Sequence, residues 1–193
     1  MISIMLQHVF DQVGRLAQRA RRLAAGEILF RSGDPVRSLF LVKSGHLELV
    51  RMLPHGASLI LQRTGPSGIF AEASLFSDRY HCDAVARDTA LLDVVPRRRL
   101  EAALAEDRTL ARSWAAYLAR AVQEARTRAE ILALRTVRER LDAWSALHNG
   151  VLPAKGAWRQ LASEIGVSPE ALYREMATRR GAAGQRKRSL YSV

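Results

Sequence analysis

The chain has 193 residues, 48% hydrophobic and 25% charged, which excludes wholesale disorder and permits one large domain or two small ones. Thirty Lys/Arg against 19 Asp/Glu give a net charge of +11 and a pI near 11, pointing to a polyanionic partner, nucleic acid ahead of an anionic membrane surface. No run of 18 apolar residues predicts a membrane span, and Gln7, His8, Asp11 and Gln12 break any signal-like stretch. The lone cysteine, Cys82, excludes an internal disulfide framework and a four-cysteine iron–sulfur or zinc site. The expected location is cytoplasmic, with no membrane partner.

In chain order, Leu6, Val9, Phe10, Val13, Leu16 and Leu23 recur at helical spacing, which predicts a helix over residues 4–24. The texture then changes. Short apolar runs at 28–30, 39–42, 47–50, 59–61, 84–86 and 91–95 are separated by Gly33-Asp34-Pro35, Ser44-Gly45, Pro54-His55-Gly56 and Gly65-Pro66-Ser67-Gly68. Short strands at such spacing predict a β-sandwich or barrel. Helical periodicity returns with a short helix at 100–104 and a long one at 108–134 that contains no Gly or Pro. Trp114, Leu118, Ala121, Ala125 and Leu132 form a seven-residue seam interrupted by Arg128. The seam can pack on its own domain or pair two copies of the helix; its length and small residues favour a homodimer. A further helix spans 136–147, and His148-Asn149-Gly150 and Pro153 break the chain after it. The expected division is 1–107, 108–134 and 135–193.

The strongest local signal lies at residues 158–177. Leu161, Ala162 and Ile165 make one apolar face, and Gly166 suits a left-handed turn. Val167 can plug the angle between two helices. Ser168 is an N-cap, Pro169 a first helical residue, and Leu172 and Met176 are spaced to bury against the first helix. This is a helix-turn-helix, whose second helix places its N-terminal residues in the major groove of double-stranded DNA. Glu170 and Arg174 project from one face of it. They form either a surface ion pair or a base-reading pair, Arg to guanine and Glu to cytosine. The candidate DNA-binding residues are Ser168, Glu170, Tyr173, Arg174, Arg179 and Arg180. The last 43 residues hold eight Lys/Arg against three Glu.

Four stretches in the same order resemble the Crp/Fnr family of bacterial transcription regulators: residues 26–49, 65–76, 84–97 and the helix-turn-helix. The resemblance implies an α+β fold: an N-terminal antiparallel β-barrel or jelly roll of cyclic-nucleotide-binding type, a dimerisation helix, and a winged helix-turn-helix. It also implies allosteric binding to a palindromic site, with RNA polymerase as a candidate partner, and base or backbone contacts by the residues matching Ser168, Glu170 and Arg174. Pro169 stands where some members carry an arginine.

The effector pocket implied by the resemblance comprises Ala71, Glu72, Arg79, Tyr80, His81, Cys82 and Arg126. The family pattern breaks there. Ala71-Glu72 replaces Gly-Glu, Tyr80 stands at the phosphate arginine with Arg79 beside it, and the adenine-contacting pair aligns with Ala125 and Arg126. These departures argue against cyclic AMP. Three readings stay open, in order: an unknown small-molecule effector, no ligand, and haem held by His81 or Cys82. After the recognition helix the family's hairpin wing is replaced by a segment whose apolar anchors are Leu190, Tyr191 and Val193. It is expected to form a short wing or a basic tail carrying Arg186-Lys187-Arg188. Two rival functions are a sensory adaptor that does not bind DNA and a cupin-like enzyme. The enzyme is disfavoured because His46, His55 and His81 lack metal-ligand spacing.

Overall fold

The computed structural model describes residues 2–52 and 58–190. Two compact units, 1–118 and 119–193, meet within one long helix. The first contains α1 (Ile2–Gly14), β1 (Arg19–Leu23), β2 (Ile28–Phe30), β3 (Ser38–Ser44), β4 (Leu47–Met52), β5 (Ser58–Thr64), β6 (Ile69–Phe70), β7 (Asp83–Ala86), β8 (Ala90–Pro96), α2 (Arg97–Glu106) and the start of α3 (Arg108–Ala133). The second contains the rest of α3, then α4 (Val137–Leu147), α5 (Trp158–Glu164) and α6 (Pro169–Leu190).

The β-domain consists of two four-stranded antiparallel sheets, ordered β1-β8-β3-β6 and β2-β7-β4-β5. Sequence pattern explains how each is covered. Strand β4 alternates buried Leu47 and Leu49 with half-exposed Glu48 and Val50, the signature of a sheet with one face in water. Strand β3 is apolar at four successive positions because both faces are buried. Phe40 and Val42 join Phe30, Leu47, Leu49, Phe70, Ala84 and Leu92 between the sheets. Leu39 and Leu41 join Val9, Phe10 and Val13 of α1, Leu100 of α2, and Leu110 and Trp114 of α3 on the other side. At the β3–β4 turn Gly45 has φ +77°, and a Cβ there would collide with the Thr89 carbonyl and Ala90.

The helix expected over 4–24 is two elements. α1 ends at Gly14, and Arg19–Leu23 is a strand paired with β8 from Arg19↔Val94 to Leu23↔Ala90. Leu16 and Leu23 fit a helical period by coincidence, while a strand reading Arg-Ala-Arg-Arg-Leu lacks the alternation that would reveal it. The helix expected at 100–104 runs from Arg97 to Glu106. The two-residue strand β6 is too short for pattern recognition.

The second unit has its own core of Ile131, Leu141, Trp158, Leu161, Ala162, Ile165, Leu172 and Met176. Helix α4 begins with a reciprocal capping box. Glu139 N–H donates to Thr136 Oγ1 at 3.1 Å, and Thr136 N–H donates to Glu139 Oε2 at 2.9 Å. The Thr136 N–H, and the Thr136 hydroxyl donating to the same Oε2 at 2.9 Å, hold the Glu139 carboxyl below its ordinary pKa. No hairpin wing follows the recognition helix among the described residues; α6 continues for 22 residues to Leu190. Its latter half holds Ala182, Ala183 and three Arg alongside Gly181 and Gly184, and it lacks the β-branched alternation of a hairpin. Arg186, Lys187 and Arg188 therefore fall on helical backbone, while Tyr191 and Val193 lie outside the described residues.

Thr136→Ala should destabilise the second unit by about 1 kcal/mol, read as a lower unfolding midpoint in thermal melts followed by tryptophan fluorescence.

Candidate functional site

Helix α5 ends in a Schellman motif. Val167 N–H donates to Ala162 O at 2.9 Å, and Gly166, at φ +65°, donates to Ser163 O at 3.4 Å. Val167 packs against the core of the unit. Ser168 then caps α6, its Oγ accepting from Ala171 N–H at 3.2 Å, with Pro169 as the first helical residue. Leu172 and Met176 seat α6 on α5, which leaves Ser168, Glu170 and Arg174 exposed. Glu170 and Arg174 form no ion pair with one another, so a surface salt bridge does not account for them. Tyr173 is half-buried, its ring edge-on to Trp158 with centroids 5.2 Å apart.

The two arginines of the next turn differ. Arg180 is exposed, with its guanidinium carbon 5.1 Å from the centre of the Trp158 ring. Arg179 turns inward to Asp142 at 2.7 Å and Glu175 at 2.8 Å, and donates to Arg138 O at 3.2 Å. Its charge is neutralised within the protein and ties α6 to α4. Arg159 and Lys155, beside the first helix, are exposed and add positive charge to this unit.

In the β-domain, Ala71 is buried and takes φ +66° at the head of a 3₁₀ turn, Glu72–Ser74. A left-handed non-glycine residue there costs about 1–2 kcal/mol. Glu72 is 8% exposed, and both carboxylate oxygens lie 3.4 Å from Gln62 Nε2. Burial raises its pKa against the weaker opposing effect of hydrogen bonds. Tyr80 belongs to the core. Its ring stacks on Phe30 with centroids 3.6 Å apart, its hydroxyl donates to Ser38 O at 2.6 Å, and burial pushes its pKa up to about 12. Arg79 is exposed and donates to Gly33 O at 2.7 Å. Tyr80 is thus an aromatic core residue, and the neighbouring Arg79 is engaged with backbone.

His81 is exposed while Cys82 is buried in the core between the sheets. Burial raises the Cys82 thiol pKa, with Arg51 opposing. Arg126 is exposed on α3 in the second unit. His46 pairs with Asp88 at 2.8 Å, and His55 lies outside the described residues. Among the described residues, no three His, Cys, Asp or Glu side chains cluster to hold a metal. Gln62 and Arg51 escaped the sequence reading. Gln62 faces the barrel's polar residues because it pairs with inward Leu49, next to a register shift that no sequence signal marks.

Along α3, Trp114 is 3% exposed in the first unit's core and Leu118 packs against the same cluster. Ala121 is half-buried and Ala125 exposed. Leu132 is 37% exposed, and its Cδ2 occupies the space that a Cβ at Gly166 would need. Arg128 is half-buried, and its Nε is enclosed without a partner. Val122, at 48% exposure, is an apolar position outside the expected seam.

Residues 20–107 match the family model described as a cyclic nucleotide-binding domain. The chain is 28% identical over 131 residues to the transcriptional activator protein anr of Pseudomonas aeruginosa, covering 68% of this chain and 54% of that protein. It is 30% identical over 100 residues to the transcriptional activator protein FnrA of Stutzerimonas stutzeri, covering 52% and 41%. The chain thus spans about half the length of these curated relatives. FixK2 from Bradyrhizobium japonicum shares the fold, with a TM-score of 0.65 at 20% identity over 86% of this chain and 85% of that one. No described helix is long and apolar enough to cross a membrane.

Tyr80→Phe should cost about 1 kcal/mol by removing one hydrogen bond, and Tyr80→Ala about 3–5 kcal/mol by emptying the core; chemical denaturation measures both. Glu72 binds its proton more tightly folded than unfolded, so its contribution to stability falls as pH rises from the ordinary carboxylate range through its raised pKa. Glu72→Gln should abolish that slope and gain on the parent as pH rises above the ordinary carboxylate range, measured as the difference in Tm.

Proposed function

For a chain of the Crp/Fnr type, built around a cyclic nucleotide-binding domain at residues 20–107, we propose the function of a dimeric, effector-responsive transcription regulator that binds a palindromic DNA site. The observation that carries this reading is the first turn of α6. It is capped by Ser168, buried on one side through Leu172 and Met176, and open on the other at Glu170 and Arg174.

In the major groove, Arg174 donates two parallel hydrogen bonds to a guanine edge and Glu170 accepts from a cytosine amine. Ser168 and the N-terminal amides of α6 approach the phosphate backbone. Arg180 and Arg159 supply phosphate contacts, Tyr173 supports the helix from beneath, and Arg179 holds α6 to α4. Helix α3 pairs two protomers through half-buried Ala121 and exposed Val122 and Ala125. The effector is a small molecule other than cyclic AMP, bound in the β-domain. By shifting the paired α3 helices it changes the spacing between the two recognition helices. The relatives are named as transcriptional activators, which supports transcription as the output and RNA polymerase as a partner in the cytoplasm.

Selection from a random duplex pool at physiological salt should enrich a two-fold symmetric site with half-sites about one helical turn, roughly 34 Å, apart. Glu170→Ala and Arg174→Ala should each weaken that site about 5- to 150-fold while leaving non-specific binding nearly unchanged. Equal losses on specific and non-specific DNA would overturn the base-reading assignment. No enrichment would favour a sensory adaptor.

A further inference from the structure

Arg140, on the first turn of α4, spreads one guanidinium over four backbone carbonyls. Nε donates to Leu134 O at 2.8 Å and Nη2 to Leu132 O at 3.0 Å, at the end of α3. Nη1 donates to Gly166 O at 2.8 Å and Ile165 O at 3.2 Å, in the turn that launches α6. Arg140 has no carboxylate partner among the described residues. Its donors go to carbonyls that their own helices leave open, because the last carbonyls of a helix lack intrahelical partners. A cation also suits a helix C-terminus. The two segments are in close contact here: a Cβ at Gly166 would collide with Leu132 Cδ2 and stand 3.3 Å from Arg140 Nη1.

We propose that Arg140 is a positioning residue that locks the recognition helix to the end of α3 and thereby sets the spacing of half-sites the dimer accepts. This inference rests on the DNA-binding reading above. Ser168 caps α6 two residues after Gly166, so holding the Ile165 and Gly166 carbonyls fixes the direction in which α6 leaves the turn. Holding the Leu132 and Leu134 carbonyls with the same rigid plane refers that direction to α3. In a dimer paired along α3, the direction of α6 relative to α3 determines the distance between two recognition helices. A lysine cannot substitute, because its compact ammonium lacks the planar fork that spans both segments.

Two measurements on the full chain test this, using Arg140→Lys and Arg140→Gln. The first, hydrogen exchange, needs no DNA. The amides of Val167 and Leu172 should exchange about tenfold faster or more in both variants, with the β-domain amides unchanged. The second uses duplexes carrying the selected half-site twice, at separations from about two base pairs shorter to about two longer than the selected one. The parent should prefer one separation by about tenfold. The variants should flatten that preference to about twofold, with affinity for a single half-site kept within about threefold. Variants that keep the sharp preference would overturn the proposal. So would a parallel loss of half-site affinity and Tm, which marks a merely structural role. If the parent selects no symmetric site, the DNA reading fails separately; unchanged exchange in the variants would then overturn the clamp on its own.

Discussion

A left-handed backbone at Gly166 is the constraint on which the second unit depends. It lets α5 end in a Schellman turn, brings Val167 into the core, and starts α6 from a capped Ser168 two residues later. No side chain fits there, because Leu132 and Arg140 close over the position. Everything proposed to read DNA follows from that turn. Once Leu172 and Met176 are seated, helical spacing sends Glu170 and Arg174 outward. The core sets the direction of α6, and its exposed face is left free for chemistry.

The β-domain separates fold from ligand. Its architecture needs apolar residues on both faces of β3 and on one face of β4, and these are present. Tyr80 is stacked in the core, Arg79 is tied to Gly33 O, and Glu72 is buried against Gln62. A chain can keep the sandwich while changing what it senses, because the packing between the sheets does not use the pocket's charges.

Much of this was legible in the sequence. The strands of the sandwich, the long helix and the helix-turn-helix follow from periodicity, because one buried face repeats over many residues. Strand β1 was hidden because its neighbours in β8, not its own pattern, make it a strand. The box at Thr136 and Glu139 is written in the sequence as Thr-x-x-Glu. The tail, expected as a short wing or a basic tail, continues the helix, and it lacks the β-branched alternation of a hairpin. Individual side chains were least legible. Nothing local distinguishes Arg179, paired to Asp142 across α4, from Arg180, which stays exposed. Arg140 looks like any surface arginine until the turn 26 residues away folds against it.

The central claim is that the turn at Gly166 orients a DNA-reading helix, and Gly166→Ala tests it most directly. The measurement is affinity for the selected symmetric site and for an unrelated duplex of equal length, across a range of salt. The account predicts a large loss on the symmetric site, with salt-dependent non-specific binding and the unfolding of the β-domain unchanged. An alanine variant that binds the symmetric site as tightly as the parent would contradict it.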